Sequence, residues 1–105
     1  MRWRERMRTR KKKLSDYGVF PEDEKKILAM CRMADKQERQ ELMQICIASA
    51  PCGIEVYLYW SMTLNMSYDE INKKEYIAAT RDDFYGYRRK AMAKFYDWLR
   101  LTRRI

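Results

Sequence analysis

Three N-capping patterns divide most of this chain into helices. In each, an Asp, Ser or Thr is followed three residues later by an acid, and the pairs are Asp35/Glu38, Ser67/Glu70 and Thr80/Asp83. Such a pair satisfies unbonded N–H groups at a helix start, so it marks where a helix begins. Only three Gly and two Pro interrupt the 105 residues. The sequence therefore predicts an all-α fold.

The spacing of apolar residues predicts a small bundle of about five helices. The first helix is predicted to begin at Pro21 and the second after Asp35. The third is predicted around 54–64, the fourth around 68–74, and the fifth from Thr80 to about Leu101. Residues 15–105 are predicted to form one helical domain, because the chain is too short for two. Residues 1–14 alternate basic residues with Trp3 and Met7, without a core-facing stripe, and are predicted to be a basic arm.

The net charge of +8 lies at the two ends of the chain. Residues 1–13 carry +7 and residues 81–105 carry +5, whereas 14–50 and 51–80 each carry −2. Positive charge gathered in blocks is typical of proteins that bind phosphate, in nucleic acid or on an anionic membrane. The alternative is a solvated charge run that only keeps the protein in solution.

Several classes of function have no support in the sequence. The chain has no His, no CxxC pair and no phosphate-binding loop, so we expect neither an enzyme, nor a metal site, nor a cofactor. The three cysteines (Cys31, Cys46 and Cys52) are expected to be buried, reduced thiols, which favours the cytoplasm of a bacterial host. No apolar run reaches membrane-spanning length, so no membrane partner is expected.

The segment 67–101 has the order of a helix-turn-helix unit: a short capped helix, a tight connection and a longer capped helix. On the last helix, the spacing predicts a buried arc that contains Phe84, Tyr87, Ala91, Phe95 and Trp98. The opposite face is predicted to carry Asp82, Tyr85, Gly86, Arg89, Lys90 and Ala93, with two small residues where a backbone could approach closely.

That outer face suggests specific contacts with DNA. Arg89 could form a bidentate hydrogen-bonded contact with guanine, and Tyr85 could contact a phosphate or a thymine methyl group. Arg81, Lys90 and Lys94 could reach phosphates. Arg88 lies inside the apolar arc, and we interpret it first as a structural Arg paired with Glu70 or Asp83.

Two short motifs carry a resemblance to a known family. Residues 67–71 (Ser-Tyr-Asp-Glu-Ile) followed by 84–91 (Phe-Tyr-Gly-Tyr-Arg-Arg-Lys-Ala) resemble the sigma-factor-like C-terminal helix-turn-helix of phage regulators of the RinA/ArpU type. In that family the unit binds DNA and activates late phage genes. The resemblance implies that the DNA face holds Arg81, Tyr85, Arg88, Arg89 and Lys90.

The favoured hypothesis is a DNA-binding transcriptional regulator from a phage or mobile element, with double-stranded DNA as its partner. The last helix would enter the major groove, while the arm would contact phosphates through Arg4, Arg6, Arg8, Arg10, Lys11, Lys12 and Lys13. An alternative is a small phage-encoded inhibitor of a nucleic-acid enzyme, similar to anti-CRISPR proteins. A third is an RNA-binding adaptor.

The aromatic cluster of Tyr57, Tyr59, Trp60 and Tyr68 is interpreted as core. Any of these aromatic side chains that the core does not use could line a homodimer interface or hold a protein partner.

Overall fold

The structure, a computed structural model, describes residues 13–105. Within these residues it contains five α-helices and no strand, so the all-α prediction is confirmed. We number the helices α1 (Glu24–Arg32), α2 (Lys36–Ser49), α3 (Glu55–Leu64), α4 (Tyr68–Lys74) and α5 (Arg81–Leu101). Two short 3-10 helices, Leu14–Tyr17 and Pro21–Asp23, precede them.

The capping patterns place the helix starts where the sequence predicts them. Asp35 Oδ1 accepts from the Glu38 N–H at 2.8 Å, and Glu38 Oε1 accepts in return from the Asp35 N–H at 2.9 Å. Ser67 and Glu70 form the same reciprocal pair at the start of α4. At the start of α5, Thr80 Oγ1 accepts from the N–H of the third helical residue, Asp83, at 3.2 Å. Each cap satisfies a donor that the helix itself leaves unbonded.

Helix α5 lies at the centre of the bundle. It packs against α1, α2, α3 and α4, and against the first 3-10 helix. Phe84 and Phe95 on α5 are completely buried, and full burial of such a side chain stabilises the fold by about 1.5–3 kcal/mol. Every helix contributes to one core, whose other buried members include Ile27, Cys31, Leu42, Cys46, Leu58, Met62, Ile71, Ile77, Met92 and Leu99.

The first 3-10 helix joins the beginning of the described chain to this core. Leu14 is 4% exposed and Val19 is 1% exposed. Gly18 turns the chain between them in the left-handed region (φ 78°), and the Val19 N–H donates to the Leu14 carbonyl at 3.1 Å. The sequence assigns Leu14 to the arm, but its burial makes it part of the domain.

The predicted outer face of α5 is corrected at two positions, because Gly86 and Ala93 are both buried. The first 3-10 helix packs against α5. Arg89, one turn after Tyr85 on α5, is close enough for its charge to act on the phenol of Tyr17 in that 3-10 helix. The first 3-10 helix therefore covers part of the α5 face that the sequence assigns to an outside partner.

Several apolar side chains are exposed. Met33 is 85% exposed because it lies just beyond the last turn of α1, and Ile47 is 49% exposed on α2. Cys52 is exposed in the link between α2 and α3, whereas Cys31 and Cys46 are buried as predicted. Tyr87 and Trp98 are half-buried at the margins of the α5 core arc.

The helices of residues 13–105 were also compared with the length and apolarity that a bilayer demands. None of them is both long enough and apolar enough to span a membrane.

Candidate nucleic-acid interface

Most of the net positive charge lies before the folded domain. Seven of the 23 Lys and Arg, and one of the 15 Asp and Glu, fall in residues 1–12, which gives that segment +6. The remaining 16 basic and 14 acidic residues leave only +2 for residues 13–105. Six predicted contact residues, Arg4, Arg6, Arg8, Arg10, Lys11 and Lys12, lie outside the described residues.

Lys13, the last of the predicted phosphate-binding residues of the arm, is exposed at the beginning of the described chain. Its N–H donates to Asp16 Oδ2 at 2.8 Å, which caps the first 3-10 helix. Because that helix packs against α5, the described chain begins beside α5.

Tyr68 connects α4 to α5 across the predicted helix-turn-helix. Its N–H donates to Tyr85 Oη at 3.0 Å, and its own hydroxyl donates to the Ala79 carbonyl at 2.7 Å. Its ring meets Phe84 edge-on, with centroids 5.4 Å apart. The connection between the helices is thus held at both ends, since Asn72 Oδ1 also accepts from the Ile77 N–H at 3.1 Å.

Tyr85 is predicted to contact DNA, but the fold already uses it. Its hydroxyl accepts the Tyr68 N–H, its edge packs on Phe84 at 5.5 Å, and the Arg88 guanidinium lies 4.7 Å from its ring centroid. These contacts leave the side chain half-buried. Tyr85 therefore positions α4 and Arg88, and its predicted contact with DNA stays a prediction.

Arg88 is also predicted to contact DNA, and the structure corrects this assignment. The side chain is only 16% exposed. One Nη donates to Ser61 Oγ at 3.1 Å, and the other lies 3.3 Å from Glu24 Oε1. Burial lowers the pKa of Arg88, while the electrostatic interactions with Tyr85 and Glu24 raise it by a smaller amount. Arg88 is thus a structural Arg, as its place in the apolar arc suggests, but the carboxylate it pairs with is Glu24 of α1 and neither Glu70 nor Asp83.

Arg81 lies at the start of α5 with its side chain 61% exposed. Its guanidinium is 2.6 Å from Asp69 Oδ1, and this hydrogen bond raises the pKa of Arg81 above its usual value. Asp82, which follows it, is also exposed. The acids around Arg81 offset its charge, so the first turn of α5 is a poor place to bind a phosphate.

Lys90 and Lys94 form the cationic strip on α5. They lie one turn apart, and no ion pair between described residues includes either of them. Partial burial lowers the pKa of Lys94, and the positive charge of Lys90 lowers it further. An anion placed between the two ammonium groups would relieve this repulsion. Arg89, half-buried beside Tyr17, lies next to the strip.

Other cations at the C-terminal end are paired, which composition alone does not reveal. Arg100 bonds Asp97 at 2.6 Å. Arg104 lies 3.3 Å from Asp35 and 3.6 Å from Glu38, and it stacks 4.9 Å from the Trp98 ring centroid. The pairs of Arg104 join the end of the chain to the start of α2.

Among the described residues predicted to contact nucleic acid, Lys13, Lys90 and Lys94 take part in no ion pair with another described residue. No group of three or more His, Cys, Asp or Glu within residues 13–105 is arranged to hold a metal ion. Comparisons with protein-family models, with curated proteins and with solved structures found no match. The resemblance to RinA/ArpU-type regulators therefore stays a prediction.

Proposed function

We propose that this protein binds double-stranded DNA and acts as a transcriptional regulator of a phage or mobile element. The supporting observation is the pair Lys90 and Lys94 on α5, one turn apart and outside every ion pair between described residues, to which residues 1–12 add a charge of +6 in the sequence. Phosphate contacts dominate the affinity of proteins for DNA, and they require closely spaced cations of this kind.

The contacts of Arg88, Tyr85 and Arg81 modify how α5 would meet the duplex. A helix-turn-helix normally presents the N-terminal part of its second helix to base edges. Here that part is engaged by Glu24, Ser61, Tyr68 and Asp69. We therefore propose that α5 approaches DNA through its middle, with Lys90 and Lys94 on phosphates and Arg89 nearest to the bases.

The direct test is binding of a labelled duplex by fluorescence anisotropy at low salt. The double variant Lys90→Ala with Lys94→Ala should bind roughly tenfold more weakly, because two cations no longer reach phosphates. Lys25→Ala with Lys26→Ala is the matched control, since it removes the same charge from two exposed residues of α1. Absence of duplex binding by the unmodified protein at low salt would refute the proposal.

A regulator must also prefer particular sites. A gel-shift selection from genomic fragments should enrich a defined sequence, and Arg89→Ala should reduce that preference while changing non-specific affinity little. If all fragments bind equally, the protein coats DNA without acting as a site-specific regulator.

One observation favours a second candidate function, the small inhibitor of a nucleic-acid enzyme. Several large apolar side chains are strongly exposed: Met33 (85%), Leu101 (83%), Tyr76 (82%), Phe20 (67%) and Leu64 (62%). Exposed aromatic and Met side chains are typical of surfaces that bind proteins. Stoichiometric binding to a purified effector nuclease complex, with no preferred DNA site, would favour this function over the first.

A further inference from the structure

A cleft between α1, α2 and α3 lies on helices that carry none of the cationic strip. Two adjoining open depressions of about 460 and 310 Å³ form it, and both are lined by Arg39 and Tyr59. We call it the Arg39 cleft.

The rim of the Arg39 cleft is positively charged. Arg32, Lys36 and Arg39 line it and are all exposed. No ion pair between the described residues engages any of these three cations. The one acid of the lining, Asp35, is already bound by Arg104 at 3.3 Å and caps α2. The cleft therefore favours an anionic ligand.

Two aromatic side chains of α3, Tyr59 and Trp60, form its wall. Both are half-buried, and Trp60 is held by an edge-on contact with Tyr57 at 5.6 Å. Ser61 and Met62, which follow them, are buried and fix this side of α3 in the core. The rings are thus held next to the guanidinium groups, and an aromatic wall beside Arg is suited to stacking a planar, apolar group.

We propose that the Arg39 cleft binds an unpaired nucleotide of a single-stranded nucleic acid. The base stacks against Tyr59 and Trp60, and the phosphates pair with Arg32 and Arg39. This combination of aromatic rings and cations is how proteins bind single strands without regard to sequence. An acidic peptide would use the cations but would leave the aromatic wall unused. The inference goes beyond duplex binding and stands without it.

The test compares two fluorescent strands of equal length and charge, oligothymidine and an abasic deoxyribose-phosphate strand, using the full chain. The basic N-terminal segment can contact phosphates of both strands, and comparison with Tyr59→Leu identifies the part of any preference for bases that comes from the cleft. We expect the protein to prefer the strand with bases by about 5- to 150-fold, the range that corresponds to stacking one base. Tyr59→Leu, which keeps an apolar side chain, should reduce that preference severalfold, whereas Arg39→Ala should weaken the binding of both strands.

Matched controls are Tyr76→Leu, in the exposed connection before α5, and Arg103→Ala, near the C-terminus. Both should keep the preference of the unmodified protein. Equal affinity for the two strands, or a preference that survives in Tyr59→Leu, would overturn the proposal. Polyglutamate binding at equal charge that weakens in Tyr59→Leu as much as oligothymidine binding does would also overturn it, in favour of a peptide site. Duplex binding measured in the same buffer separates this failure from failure of the proposed function.

Discussion

Arg88 joins three helices through one side chain. Its guanidinium bonds Glu24 of α1 and Ser61 of α3 and lies over Tyr85 of its own helix. A buried cation of this kind is stable only while its partners remain, because a charge removed from water must be compensated. The residue is therefore expected to determine stability, with an effect on DNA binding only through the fold.

Replacing Arg88 with Ala should lower the free energy of unfolding by about 1–3 kcal/mol, since the hydrogen bonds to Glu24 and Ser61 disappear. Urea denaturation measures this as a lower midpoint at an unchanged slope. Lys94→Ala, on the same helix but outside its ion pairs, should leave the midpoint nearly unchanged. Normal stability together with abolished DNA binding in Arg88→Ala would instead return Arg88 to the DNA face.

The three thiols should differ in reactivity. Burial raises the pKa of Cys31 and Cys46 to about 12, so at neutral pH both stay protonated as well as covered. Cys52 is exposed. A thiol-specific chromogenic reagent should modify one cysteine rapidly in the native protein and all three in denaturant. Rapid modification of two or three native thiols would mean that the α1–α2 core opens readily.

At the scale of elements, the connection between α4 and α5 is an ordered link that depends on Tyr68. The Tyr68 hydroxyl holds the Ala79 carbonyl one residue before the α5 cap, and the buried side chain of Ile77 fixes its middle. These contacts fix the orientation of α5 relative to α4. The link has no Gly, and its shape comes from side-chain hydrogen bonds.

Tyr68→Phe keeps the aromatic ring and removes only the hydroxyl, so the Ala79 carbonyl no longer has its partner. We expect a decrease of about 1 kcal/mol in the free energy of unfolding and faster hydrogen exchange within residues 75–80. Tyr76→Phe makes the same chemical change at a side chain that is 82% exposed, and it should alter neither quantity. Equal effects of the two variants would contradict this role of Tyr68.

The helix boundaries could be predicted because each capping bond joins residues three apart, so the whole interaction is visible in a short stretch of sequence. The faces of α5 could be predicted only in part. Arg88 stands out inside the apolar arc, but its partner Glu24 lies 64 residues earlier and only the fold brings it near. Periodicity assigns Gly86 and Ala93 to the outer face, because it cannot show that a helix is packed on more than one side.

The same limit applies to the Arg39 cleft. Arg32 and Arg39 lie on either side of a helix break, and Tyr59 follows 20 residues after Arg39. No motif links them, and the aromatic residues of α3 are explained equally well as core. Their arrangement becomes visible only once α1, α2 and α3 are packed together.

On the scale of the whole molecule, a nearly neutral domain carries a strongly basic segment at one end. Residues 1–12 hold +6 and residues 13–105 hold +2. Several cations of the domain are paired with Asp35, Asp69, Asp97 and Glu24. If the proposed function holds, we therefore expect most of the electrostatic affinity for DNA to come from the N-terminal segment, with Lys90 and Lys94 fixing the orientation of the domain on the duplex.

The measurement that tests this division most directly is the salt dependence of duplex binding, for the full chain and for a chain that begins at Lys13. The shorter chain keeps Leu14 and the first 3-10 helix, and thermal unfolding of both chains checks that they are equally stable. We predict that the slope of log K against log salt becomes shallower by about 0.9 for each phosphate that the N-terminal segment neutralises, several units in total. Equal slopes for two equally stable chains would contradict the central role of the basic segment.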